Sequence, residues 1–192
     1  MSQAVFAYGS LVSAESAAAT LSRAVEPIAP AALGGWRRRW SLCRDNLRSE
    51  KSFALEPGGE LPPYVLGLNL EPGETEAGPA NGALLDVSEP ELARLDQREL
   101  RYDRVDVTDQ LEASERFDRV WTFTAKPEHH ASEPPRGAVI LTTYASAVED
   151  AFAALGKDEL ARYRATTGPP PVDIVEARLV EDRIPPGNPR RW

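Results

Sequence analysis

Apolar and polar positions alternate along this chain in two rhythms, and the places where one gives way to the other mark its elements. Residues 4–8, AVFAY, are an unbroken apolar run that stops at Gly9-Ser10, which predicts a buried strand entering a tight turn. Residues 13–24 are rich in alanine and begin on a serine, which predicts a short helix. In the run WRRRWSLCR, Trp36, Arg38, Trp40 and Leu42 alternate with Arg37, Arg39, Ser41 and Cys43, the period of a strand. The Gly34-Gly35 pair before it predicts a bulge or bend.

Further strands are predicted at 52–55, 64–70, 83–87, 102–107 and 117–124, and a strand-like patch at 173–180. Residues 71–82 and 126–137 read as long loops. The clearest helix spans 88–99, where Ser88 and Glu91 have capping-box spacing and Pro90 suits a first turn. Two more helices, 142–155 and 158–163, are split at Gly156. Strands and helices do not alternate regularly, so a doubly wound sheet is not expected. The expected class is α+β: a small, mostly antiparallel β-barrel with two to four helices on its outside. Residues 1–192 read as one domain with a proline-rich tail over 167–192.

Charge narrows the partners. The 192 residues carry 22 Lys and Arg against 30 Asp and Glu, a net charge of −8. Such a chain repels phosphate backbones, so a small substrate or a protein is expected as partner and nucleic acid is not. No run of 18 apolar residues suits a membrane span, and the start, MSQAVFAYGSLV, does not read as a signal peptide. The single cysteine, Cys43, is read as a buried or half-buried thiol in a cytoplasmic protein. The oligomeric state stays open, with a homodimer as one candidate.

Two segments offer chemistry. In FAYGSL, residues 6–11, a strand stops at Gly-Ser before a helix, leaving backbone N–H groups that can hold an anion, or simply an ordinary turn. In the helix over 88–99, Leu92, Leu95 and Glu99 share one face, so Glu99 points toward the core from the C-terminal end. The helix dipole, the like charge of Asp96 and partial burial all push the Glu99 carboxyl upward, toward general acid/base use. Pairing with Arg98, Arg101 or Arg104 opposes this and leaves the alternative of an ordinary surface ion pair.

Together these segments resemble the γ-glutamylcyclotransferase family, including its AIG2-like branch. The resemblance rests on Tyr8-Gly9-Ser10 after Phe6-Ala7, Gly82-Ala83-Leu84, Leu95-Asp96-Gln97-Arg98-Glu99 and Tyr102-Asp103-Arg104, in that order and spacing. Residues 120–126 and Tyr144, followed by a helix and Gly156, look like its later strand and C-terminal part. The resemblance implies an enzyme of glutathione or related γ-glutamyl metabolism that closes a γ-glutamyl group to 5-oxoproline and releases an amine. It implies Glu99 as acid/base and Tyr8, Gly9, Ser10, Leu11, Tyr102 and Tyr144 as substrate-binding residues, with no metal and no cofactor. The alternative is a non-catalytic protein of the same fold that binds a carboxylate metabolite or a partner.

Leu11 stands where the animal γ-glutamylamino-acid enzymes carry Asn, and Val12-Ser13 follows where the glutathione enzymes carry an aromatic. The insert at 71–81 and the arginines of 36–40 match nothing in the family pattern. His129 and His130 are expected in solvent, Trp36 and Trp40 in packing, and Arg37 to Arg39 on a solvated strand face, with a substrate carboxylate as their other possible partner. Arg190-Arg191-Trp192 read as a frayed end or a segment packing on a neighbour.

Overall fold

The computed structural model describes residues 2–25, 29–111 and 116–189, so the tail reading for Arg190-Arg191-Trp192 falls outside the described residues. Its elements are β1 (Gln3–Ala7), α1 (Ala14–Leu21), β2 (Ala29–Leu33), β3 (Trp36–Asp45), β4 (Lys51–Leu55), β5 (Tyr64–Pro72), β6 (Ala80–Val87), α2 (Glu89–Arg98), β7 (Tyr102–Asp106), β8 (Arg119–Ala125), β9 (Ala138–Leu141), α3 (Thr142–Leu155), α4 (Lys157–Thr166), β10 (Ile174–Val175) and β11 (Ala177–Asp182). The class is α+β, as expected. The barrel is not: the strands form three sheets, ordered β2-β6-β1-β8-β7, β10-β9-β5-β3 and β11-β4, and these do not close on one another. Among the described strands most pairings are antiparallel, but the sheets are mixed, because β1 runs parallel to β8, and β9 parallel to both β5 and β10.

The apolar run of β1 is explained by its place. It lies in the middle of the first sheet, antiparallel to β6 on one side and parallel to β8 on the other. Ala4, Val5, Phe6 and Ala7 are buried, as a strand covered on both faces requires. The register pairs Ala7 with Ala83, and Gly82 lies beside that pair. A β-carbon built on Gly82 would sit 2.2 Å from the Ala7 carbonyl oxygen and 2.7 Å from Cζ of Phe6. The absence of a side chain there lets β1 and β6 approach at the point where β1 ends.

The strand expected at 36–44 forms, but its alternation places Arg38 on the same inward side as Trp36 and Trp40. Arg38 is therefore completely buried, not on a solvated face. Two strands were not anticipated: β2, before the glycine pair, and β9, four residues that run straight into α3. The long loop expected over 71–82 shrinks to 73–79, since β5 continues to Pro72 and β6 begins at Ala80.

The capping box holds. The Ser88 N–H and hydroxyl both donate to Oε2 of Glu91, at 2.8 and 2.7 Å. Leu92 and Leu95 are buried, as their spacing requires. Among the described residues, no helix is long and apolar enough to cross a membrane.

Gly82→Ala is expected to cost about 1–3 kcal/mol, because overpacking forces β1 and β6 apart. Urea unfolding reads this as a lower midpoint with an unchanged slope. An unmoved midpoint would show that the two strands have room to separate.

Candidate functional site

The site begins where β1 stops. Tyr8 and Gly9 lead into a single 3-10 turn over Ser10–Val12, and α1 follows with Ser13 as its N-cap. The turn's own bonds run from the Val12 N–H to the Gly9 carbonyl, 3.0 Å, and from the Ser13 N–H to the Ser10 carbonyl, 3.2 Å. The amides of Ser10 and Leu11 precede the first donor of that turn, the position from which helix starts bind anions.

Glu99 approaches from the opposite side. It is the C-cap of α2, and its N–H closes on the Leu95 carbonyl at 2.8 Å. The face of Leu92 and Leu95 aims it inward, and its side chain retains 17% exposure. The pairing left open by the sequence is settled by position. Arg98 takes Glu99, Nε to Oε1 at 3.0 Å. Arg101 takes Glu50 in a two-pronged pair at 2.9 and 2.6 Å. Arg104 takes Asp96 at 3.3 Å. The like charge expected from Asp96 is thus answered by Arg104 near the surface, and an ion pair faces Glu99 instead.

Arg98 is the site residue that sequence reasoning did not single out. Its side chain is 2% exposed, and it donates to Oγ of Ser10 at 3.1 Å, Oγ of Ser16 at 3.0 Å, the Ser16 carbonyl at 3.2 Å and the Thr20 hydroxyl. Burial pushes its guanidinium down and the adjacent Glu99 charge pushes it back up. Arg98 therefore ties the end of α2 to the turn after β1. Its position directly before Glu99 was visible in the sequence; the ring of hydroxyls around it was not.

One cavity of about 50 Å³ unites Tyr8, Gly9, Ser10, Leu11, Glu99, Tyr102 and Tyr144, and so brings together every residue proposed from the sequence. Leu68 and Phe123 supply its apolar wall. The Tyr8 hydroxyl donates to the Phe123 carbonyl at 2.6 Å, and the Tyr102 hydroxyl to the Leu68 carbonyl at 2.8 Å. Tyr144, from the first turn of α3, reaches over Gly9: a β-carbon there would lie 3.3 Å from the Tyr144 hydroxyl. Trp40 supports it edge-on, with ring centroids 6.1 Å apart. Burial first, and then the Glu99 charge and Tyr144, hold Tyr8 well above the usual phenol range. Tyr102 and Tyr144 are also raised, chiefly by burial. All three are neutral phenols at ordinary pH.

A second polar cluster lies apart from this cavity and corrects two readings. Arg37 and Arg39 do hold a carboxylate, but it belongs to Glu71, at 3.3 and 3.2 Å. His130 is not simply solvated: its Nε2 lies 2.9 Å from Oε1 of Glu71, which also accepts from the Ser41 hydroxyl at 2.6 Å. Burial alone would raise the Glu71 carboxyl. The Ser41, His130 and Arg39 contacts together overcome it and hold the group at about 2, against an ordinary 4.5.

A family model described as Gamma-glutamyl cyclotransferase, AIG2-like, matches residues 5–140. Among solved structures, the chain is similar to YkqA from Bacillus subtilis at 19% identity and a TM-score of 0.53, covering 85% of this chain and 53% of YkqA. It therefore spans about half the length of that protein. It is also similar to a gamma-glutamyl cyclotransferase at 14% identity and a TM-score of 0.55, covering 92% of this chain and 95% of the other. A third likeness is to an uncharacterized protein from Homo sapiens, at 14% identity and a TM-score of 0.56, covering 86% and 88%. At these identities the structural likenesses speak to the fold alone. A comparison with curated protein sequences finds no match.

The depressed Glu71 carboxyl sets a pH dependence. Its folded value lies below its unfolded one, so its contribution is complete above about 4.5 and disappears as pH falls toward about 2. The stability gap between wild type and Glu71→Gln, read by thermal unfolding from pH 6 to about 3, is expected to narrow on acidification. A gap independent of pH would show that the Glu71 charge is not what the arginines hold.

Proposed function

The chain belongs to the gamma-glutamyl cyclotransferase, AIG2-like family, and from this we propose that it is an enzyme that cyclises the γ-glutamyl group of a small amine, amino acid or peptide to 5-oxoproline. The observation that carries the proposal is the shared cavity, in which the Glu99 carboxylate faces the turn after β1 across three neutral tyrosines.

The substrate's head group is a zwitterion, and the cavity offers a complement to each charge. Backbone amides at Gly9, Ser10 and Leu11 suit its α-carboxylate. Its α-ammonium suits Glu99 and the oxygens of Tyr8 and Tyr102, whose hydroxyl protons are already given to backbone carbonyls and which therefore meet a ligand as acceptors.

Glu99 takes one proton from the α-ammonium. The freed amine attacks the substrate's own γ-carbonyl carbon, forming the C–N bond of a five-membered lactam. Glu99 then returns the proton to the departing nitrogen as the original C–N bond breaks, and the second proton that the ring nitrogen must lose passes to the released amine, leaving 5-oxoproline and an ammonium ion. Because the nucleophile belongs to the substrate, the protein contributes orientation and proton transfer. Holding amine and carbonyl in contact can supply several kcal/mol of the barrier. The ion pair with Arg98 fixes the position of the Glu99 carboxylate. The lone thiol Cys43 fits a reducing, cytoplasmic setting for this reaction.

Glu99→Gln is expected to reduce 5-oxoproline release by ~10²–10⁴-fold with the far-UV circular dichroism unchanged. Mass spectrometry over a panel of γ-glutamyl amines, amino acids and peptides makes the measurement. Wild-type rates in the variant would remove Glu99 from the role, and saturable binding of the panel without turnover by the wild type would identify a carboxylate-binding protein instead.

A further inference from the structure

Arg38 is the largest fully buried side chain among the described residues, and nothing so far requires its charge. Its Nε donates to the Tyr8 carbonyl at 2.9 Å, one terminal nitrogen to Oγ1 of Thr167 at 2.9 Å, and the other to the Asn81 carbonyl. Its guanidinium lies against the rings of Phe152 and Tyr163, 5.0 and 4.8 Å from their centroids. Every one of these partners is neutral, and no carboxylate pairs with it among the described residues. Burial lowers it only to about 10, so it remains a cation at neutral pH.

A buried cation without an anion is costly, and an apolar side chain of the same volume would fill the space at less cost. What distinguishes the cation is its first contact. The Tyr8 carbonyl and the Gly9 N–H belong to one peptide group. Peptide dimensions put the Arg38 Nε within about 5 Å of the Gly9 nitrogen. A hydrogen bond to the oxygen of a peptide polarises it and makes its N–H a stronger donor.

We propose that Arg38 is a positioning residue for the turn after β1: its unneutralised guanidinium, bonded to the Tyr8 carbonyl, polarises the Tyr8–Gly9 peptide and supplies the charge that a bound carboxylate balances. This rests on the reading that the turn holds the substrate's carboxylate. It also gives the insertion of an arginine among the tryptophans of β3 a purpose. The clamp that orients Arg38 comes from α3, α4 and Thr167, so the C-terminal helices reach the anion site through it.

The test is an NMR titration of 15N-labelled protein with 5-oxoproline and, separately, with its uncharged carboxamide. Wild type is expected to prefer the carboxylate. Arg38→Met is expected to lose on the order of tenfold in carboxylate affinity, with little change for the carboxamide and with the free Gly9 amide resonance displaced. Arg38→Lys, which keeps the charge, is expected to recover part of the preference. Should the Met variant fail to give a dispersed spectrum, Arg38→Gln serves, since it keeps a donor for the Tyr8 carbonyl and removes the charge; it too should lose the preference. Equal losses for both ligands, or an undiminished preference in a neutral variant, overturn the proposal while leaving the carboxylate site standing. A wild type that binds the two ligands equally overturns the carboxylate site itself, and the role of Arg38 with it.

Discussion

The position at which β1 ends governs the site. That strand is paired with β6 to its last residue and with β8 over its first three, and Ala4 to Ala7 are buried. Gly82 removes the one β-carbon that would hold the Ala7 carbonyl away. Because β1 stays paired with β6 and buried up to Ala7, the direction in which the chain leaves the sheet is set there, and the following turn connects directly to the strand. A site made this way loses little freedom when a ligand arrives.

Glu99 is held by a different kind of constraint. It is the residue at which α2 ceases to be a helix, so its backbone is fixed by Leu95 behind it and by the entry into β7 ahead. Its carboxylate is then fixed by Arg98, whose other bonds go to Ser10, Ser16 and Thr20. The same guanidinium therefore touches the acid and the turn opposite it, and a displacement of either element is felt by the other. The three arginines around this corner divide three carboxylates among themselves, which leaves Glu99 with an ordered neighbour in place of a competing one.

Much of this was legible in the residues. The apolar run ending at Gly-Ser, the capping box and the Leu92–Leu95–Glu99 face each carry local information, and local information survives into the fold. The open, mixed arrangement of the sheets was not legible, because the parallel pairings of β1 with β8 and β5 with β9 join segments far apart in the chain. The four residues of β9 are too few to show a period. Arg38 is the instructive miss: its alternation with Trp36 and Trp40 put it on the inward face, and only the general expectation that arginine meets solvent argued otherwise. Likewise the carboxylate for Arg37 and Arg39 sat in the sequence as Glu71, but nothing local links β3 to the end of β5.

The match to the family ends at residue 140, two residues before α3 begins. Yet Tyr144 belongs to α3, and Phe152, Tyr163 and Thr167 form the pocket around the Arg38 guanidinium. A fragment trimmed to the recognisable core would keep its acid and its turn while opening an internal cation to water. The smallest unit that keeps this cavity and the buried arginine enclosed is therefore longer than the smallest unit that can be recognised, and grafting the cavity onto another scaffold means carrying the helical hairpin with it.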